Sequence, residues 1–175
     1  MTEREVLRFG ERVVSWQTVW DHLYLEYDAD PHDGAAAAEM HRLRGLVMAQ
    51  CAETEAVLRL IGKRLDPPAD MERRMAGQLL KDVRRLLSAH SDARWEEYLL
   101  AVDRAIKRRN HAVHSSVTIG SSWAPYVTGG GEWVPVISLM GGGEYDEMDL
   151  RRDLALQQEA TIAAVRLFYS IQEFA

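Results

Sequence analysis

The stretch KRRNHAVH, residues 107–114, collects the side chains of this chain that are best suited to chemistry on a phosphate. Three consecutive cations are followed by an asparagine and two histidines. Histidine can transfer a proton near neutral pH, and the planar fork of an arginine matches the oxygens of a phosphate. These residue types indicate either a site that handles a phosphodiester or the solvated end of a helix.

The arginine at position 109 is the unusual member of this stretch. At about 100° per residue, Arg109 falls within the apolar face of its predicted helix, which contains Trp95, Tyr98, Leu99, Val102, Ile106 and Val113. An unpaired charge buried among apolar side chains costs several kcal/mol. We therefore expect Arg109 to meet either an Asp or Glu of a neighbouring helix, or a phosphate held in a cleft or subunit interface.

Asn110 lies at the edge of the same face, and His114 follows on that side one turn later. Arg109, Asn110 and His114 together read R-N-x-x-x-H. This pattern resembles the R-x4-6-H motif that marks the ribonuclease members of the HEPN domains (higher eukaryotes and prokaryotes nucleotide-binding), which are all-helical bundles. In that family too, a polar residue commonly follows the arginine and the motif precedes the last helix. The resemblance rests on the motif and the helical architecture, and does not extend along the whole chain.

The resemblance implies a metal-independent endoribonuclease of toxin or antiviral-defence type, active as a homodimer. RNA would be cleaved by attack of a ribose 2′-hydroxyl on the adjacent phosphate, which leaves a 2′,3′-cyclic phosphate. His114 would transfer a proton, Arg109 would stabilise the transition-state charge, and Asn110 would orient the imidazole or bind a phosphate oxygen. A cognate antitoxin or regulatory partner is compatible with this class. The tyrosine of the H-x-Y toxins is absent, since Ser115 and Ser116 follow His114.

Some HEPN domains are inactive, and this gives the alternative: a catalytically inactive helical dimer that binds a nucleotide or a protein, with Arg109 in a structural ion pair. A second arginine and histidine with the same spacing, Arg85 and His90, lacks the asparagine. Its arginine also falls away from the apolar stripe of its own helix. We interpret this second pair as a chance match.

Four further side chains are candidates for substrate binding. Lys107 and Arg108 precede the motif and His111 lies within it, all three on what we expect to be a solvated face. Trp123 would stack on an unpaired base, although such aromatics more commonly pin a hairpin to a bundle. No H-E-x-x-H motif or cysteine cluster accompanies the histidines, so we expect no metal and no cofactor.

The composition is that of one globular domain covering residues 1–175, with 47% hydrophobic and 27% charged residues. The net charge of −6 counts against a protein that coats nucleic acid, but not against a local basic cleft. No apolar run is long enough to span a membrane, and the charged N-terminus lacks a signal core. The single cysteine excludes an internal disulfide. These features predict a cytoplasmic protein without a membrane segment.

The elements that must position the motif follow from the apolar periodicity. A first helix carries one stripe: Val6, Phe9, Val13, Trp16, Trp20, Leu23 and Tyr27. A second, over residues 35–65, directs inward Met40, Leu43, Val47, Cys51, Leu58 and Ile61. A third covers residues 71–89 with Asp70 as its N-cap, and a fourth, capped by Ser91 or Asp92, carries the motif.

Residues 117–146 have a different character, with a β-branched and aromatic segment between two Gly-Gly-Gly-Glu runs. This composition predicts a β-hairpin or small meander. A final helix is expected over residues 149–174. The sequence therefore predicts a mainly α fold, a bundle of about five helices with a β-hairpin or meander inserted before the last helix.

Overall fold

The computed structural model describes residues 31–67, 70–88, 93–139 and 145–172. In these ranges the chain forms four helices and one antiparallel pair of strands: α1 (Pro31–Leu65), α2 (Ala76–Leu87), α3 (Ala93–His114), β1 (Val117–Pro125), β2 (Gly131–Leu139) and α4 (Glu147–Gln172). The predicted mainly α fold, with a hairpin before the last helix, is confirmed. The predicted first helix and the two proposed caps of α3, Ser91 and Asp92, lie outside the described residues.

Helix α1 is the long helix against which the other three pack. The six side chains predicted to face inward are all buried: Met40, Leu43, Val47, Cys51, Leu58 and Ile61. The helix begins at Pro31, four residues earlier than predicted. Proline is tolerated in the first helical turn, because the N–H that it lacks has no acceptor there.

Helices α1 and α4 run parallel to each other. Near their N-termini, Arg151 donates to Glu39 at 3.1 Å. Further along both helices, Gln50 donates to the hydroxyl of Thr161 at 2.8 Å. The two contacts follow each other in the same direction along both helices, so the helices are parallel and in register over at least three turns.

Helix α3 runs antiparallel to α4. The buried amide of Gln157 donates to the carbonyl of Ala105 at 2.6 Å, which satisfies both groups inside the core. Arg108, one turn later on α3, contacts Asp153, one turn earlier on α4. The C-terminal end of α3, which carries the motif, therefore lies at the N-terminal end of α4.

Helix α2 starts at Ala76, five residues later than predicted. Asp70 does not cap it, because its Oδ1 accepts a hydrogen bond from the backbone N–H of Glu72. Met71 is buried against Gly62, where an added Cβ would lie 2.9 Å from the methionine Cε. The chain thus makes a separate turn that inserts Met71 into the core before the helix can begin.

The two strands pair from Val117 with Leu139 to Pro125 with Gly131. Residues 126–130 form the turn, in which Gly129 and Gly130 have φ values of 92° and 81° that favour glycine. Val117 and Leu139, at the base, are buried against α1 and α4. The hairpin therefore leaves the bundle three residues after the motif. Within the described residues, no helix is long and apolar enough to cross a membrane.

Candidate functional site

Arg109 reaches from α3 to α1. Its Nη2 donates to Glu55 Oε1 at 3.1 Å, and its Nη1 donates to the side-chain oxygen of Asn110 at 2.9 Å. The side chain of Arg109 is 24% exposed and that of Glu55 is 15% exposed. The anionic partner expected for this arginine is therefore present on a neighbouring helix, and the guanidinium remains partly open to solvent.

Glu55 is shared between two arginines. It also accepts a hydrogen bond from Arg59, one turn along α1, at 3.2 Å. One carboxylate between two guanidinium groups leaves a local charge of +1 at the junction of α1 and α3. This surplus is the electrostatic condition that an anion such as a phosphate requires.

The cysteine of α1 lies beneath this junction. Burial raises the pKa of the Cys51 thiol, and the hydrogen bond and positive charge of Arg109 only partly oppose that effect. A thiol with a raised pKa is protonated near neutral pH and is a poor nucleophile. Cys51 is accordingly a core residue, as its place on the inward stripe indicated.

Asn110 and His114 are exposed side chains, one turn apart on the outer side of α3. His114 is the last residue of the helix. Within the described residues, the imidazole of His114 forms no hydrogen bond, either with Arg109 or with another side chain. The structure thus joins Arg109 to Asn110 and leaves His114 open to a ligand or a second protein chain.

The other polar residues of this stretch, Lys107, Arg108 and His111, point in different directions. Lys107 is 73% exposed and pairs with Asp103, as a solvated residue does. Arg108 is only partly solvated, because its side chain is 43% exposed and its Nε donates to the fully buried Asp153 at 2.7 Å. His111 is half-buried, with its ring edge against Tyr145 at 4.7 Å between centroids. Both departures arise because the N-terminal end of α4 covers this side of α3.

Tyr145 completes the contact between α3 and α4. Its hydroxyl accepts a hydrogen bond from Arg108 Nη2 at 3.2 Å, and the Arg108 guanidinium carbon lies 5.0 Å from the centre of its ring. Tyr145 is itself buried. Arg108 and His111 therefore fix the position of the motif helix, and they do not share the exposed side that carries Asn110 and His114.

Trp123 lies on β1, paired across the strands with position 133, and is 48% exposed. Tyr126 and Val127, at the turn, are exposed as well. Glu132 is the only charged residue between Val117 and Leu139. The hairpin therefore presents aromatic and apolar surface to solvent, without the cations that would bind a nucleic-acid backbone.

Sequence reasoning missed Glu55, Arg59 and Arg44 as neighbours of the motif. Glu55 and Arg59 have the i,i+4 spacing of a helical ion pair, which indicates their mutual contact but not their proximity to Arg109. Arg44 donates to the carbonyls of Ala112 and Val113, at the end of α3. No local pattern reveals that last contact, because it joins residues that are 68 and 69 positions apart.

Comparisons of the chain with models of protein families, with curated proteins and with solved structures give no match. Among the described residues, no group of three His, Cys, Asp or Glu side chains is placed to hold a metal ion.

Proposed function

We propose that this chain is a HEPN-like, metal-independent endoribonuclease of the toxin or antiviral-defence type. The observation that supports the proposal most is the hydrogen bond from Arg109 Nη1 to the exposed Asn110. Through it, the guanidinium extends from between the helices toward the surface that also carries His114. We therefore place the three side chains of the R-N-x-x-x-H motif at one region of the α3 surface.

In the proposed reaction, the ribose O2′ forms a bond to phosphorus and the bond from phosphorus to O5′ breaks. One proton leaves the 2′-hydroxyl and one is delivered to the 5′-oxygen. An exposed histidine is suited to such a transfer near neutral pH, and this is the role proposed for His114. Arg109 would stabilise the negative charge on the pentacoordinate, phosphorane-like transition state. Asn110 would hold the guanidinium or a phosphate oxygen.

Arg109 and His114 share no hydrogen bond within the described residues, and we regard one protomer as half of the proposed site. A second protomer would supply the missing half, and we therefore propose a C2 homodimer in which the exposed end of α3 lies at the interface. RNA is the proposed substrate. A cognate antitoxin or another regulatory protein would act by covering this end of the helix.

A second candidate is favoured by the ion pair between Arg109 and Glu55. A guanidinium that is neutralised by a carboxylate is a weaker anion site, and the same pair would hold α1 against α3 in a non-catalytic binding module. The 24% exposure of Arg109 and the second arginine on Glu55 favour the enzyme over this candidate.

The deciding experiment is cleavage of a mixed RNA pool by the purified protein in the presence of EDTA. We expect cleavage by the wild type, products with 2′,3′-cyclic phosphate ends, and a loss of about 10²-fold or more in the His114→Ala variant. Since His114 is exposed, the variant should unfold at the same urea concentration as the wild type. Absence of cleavage by a folded wild-type protein across such a pool would leave the non-catalytic binding module as the function.

A further inference from the structure

Arg44 connects α1 to the last turn of α3. Its Nε donates to the carbonyl of Ala112 at 2.8 Å, and its Nη2 donates to the carbonyl of Val113 at 3.1 Å. These are the two carbonyls directly before His114. A guanidinium that binds two successive carbonyls fixes both the position and the orientation of that turn.

The third carbonyl of the turn has its own donors. The carbonyl of His111 accepts two hydrogen bonds, one from the backbone N–H of Ser115 at 3.2 Å and one from the Ser115 hydroxyl at 2.8 Å. The last carbonyls of a helix have no intrahelical partner, and helix ends commonly fray. Here the carbonyls of residues 111, 112 and 113 are all bonded, so the end of α3 is held in place up to His114.

The charge of Arg44 has no carboxylate partner within the described part of the chain. Burial of the side chain lowers the pKa of Arg44. The negative end of the α3 dipole and the two carbonyls supply what compensation there is. A half-buried cation without an acidic partner has an energetic cost, and both hydrogen bonds of Arg44 go to the turn that carries His114.

We propose that Arg44 is a positioning residue for His114. It holds the last turn of α3 against α1, so that the imidazole keeps a defined place relative to Arg109. The inference rests on the proposed ribonuclease function for its kinetic consequence, but the restraint on the His114 ring can be observed without any activity. Small displacements of a catalytic group lower the rate of the chemical step far more than they lower substrate binding.

The test compares Arg44→Gln and Arg44→Lys with Arg42→Gln as the matched control. Arg42 lies two positions away on α1, is 55% exposed and pairs with Glu39. We expect kcat to fall about 10-fold in Arg44→Gln with KM unchanged, and to be partly restored in Arg44→Lys, because lysine can reach one carbonyl but lacks the fork. Arg42→Gln should match the wild type. An unchanged kcat in folded Arg44→Gln, or a change confined to KM, overturns the proposal.

A second measurement separates this inference from the proposed function. The side-chain NMR resonances of His114 should shift and broaden in Arg44→Gln, whereas those of His111, which packs on Tyr145, should stay in place. This result supports the restraint even if the wild type cleaves no RNA. If the His114 resonances of Arg44→Gln are the same as those of the wild type, the restraint is refuted, even if the wild type is active. If Arg44→Gln does not fold, the same comparison is made with Arg44→Lys.

Discussion

Arg108 and Arg109 are consecutive in the chain, and their guanidinium groups bind carboxylates on different helices. Arg108 donates to Asp153 of α4 at 2.7 Å, and Arg109 donates to Glu55 of α1 at 3.1 Å. Asp153 is fully buried, whereas Glu55 keeps some exposure and has a second arginine partner. The first pair therefore contributes to stability, and the second lies where a ligand can compete for it.

The Arg108→Ala variant should lose about 3 kcal/mol of unfolding free energy, since it leaves the buried charge of Asp153 without its cation. The second oxygen of Asp153 has no hydrogen-bond partner within the described residues. Urea denaturation measures the loss. Lys107→Ala, which breaks an exposed pair, is the control and should change stability by less than about 0.5 kcal/mol. Equal stability of the two variants would contradict the structural role of Arg108.

The Arg109→Ala variant should lose RNA cleavage while keeping most of its stability. Because Arg59 remains on Glu55, the loss of stability should be no more than about 1 kcal/mol. Cleavage of RNA should fall about 10²-fold or more, and Arg109→Lys should fail as well because a point charge cannot reproduce the fork. Arg85→Ala, in the second R-x4-H pair, should cleave at the wild-type rate. Strong destabilisation without any cleavage defect would assign Arg109 to a structural ion pair.

The protein should be a homodimer at micromolar concentration. Light scattering coupled to size exclusion should give about twice the mass of 19.9 kDa calculated for one chain. If α3 forms the interface, a spin label at Asn110, one turn before His114, should show a short distance to its copy in the dimer. A monomeric mass at these concentrations would remove the composite site.

Stability should fall on acidification in a manner that depends on His41. Burial, and then the positive charge of Arg44, hold the pKa of His41 below its usual value. The unfolded chain therefore takes up a proton first, as the pH drops through about 6.5. The contribution of His41 to stability is complete above that pH and is lost between it and the lower folded-state pKa. Urea midpoints measured from pH 7.5 to 5 should fall more steeply for the wild type than for His41→Gln, which lacks this titration.

The outer part of the hairpin should be dispensable for folding. Replacing residues 121–135 by a tight turn keeps the buried base formed by Val117 and Leu139, so the unfolding temperature should change by only a few degrees. If Trp123 stacks on RNA bases, KM should rise and Trp123→Ala should reproduce part of the effect, at about 1–3 kcal/mol per stacked base. An unfolded variant would show instead that these aromatics serve packing.

Much of the helical fold could be predicted from the sequence because apolar periodicity records which side of each helix is buried. All six positions predicted to face inward on the long helix are buried in α1. The start of α2 could not be predicted, since it depends on the insertion of Met71 beside Gly62, a tertiary contact. For the same reason the contact of Arg108 could not be predicted: an arginine that is 43% exposed and pairs with a buried Asp153 has the same place on a helical wheel as a fully solvated one.

The candidate site was predictable in its residue types and not in its partners. The pattern of Arg109, Asn110 and His114 is local, and two of these side chains are indeed exposed. Glu55 and Arg44 come from a helix whose contacts with α3 span 54 to 69 residues of sequence. No local pattern specifies pairs at such separations. The roles of the motif residues remain predictions that depend on the experiments above.

The parallel packing of α1 and α4 has a consequence for synthesis of the chain on the ribosome. Gln50 and Thr54 find their hydroxyl partner, Thr161, only 111 and 107 residues later. Until α4 has been translated and released, these polar groups and the part of α1 that packs on α4 have no final partner. Closing such distant contacts is slow, and the exposed surface is prone to association meanwhile. The core is therefore completed only after α4 has emerged, and a nascent chain that stalls before α4 leaves the surface of α1 that α4 covers exposed.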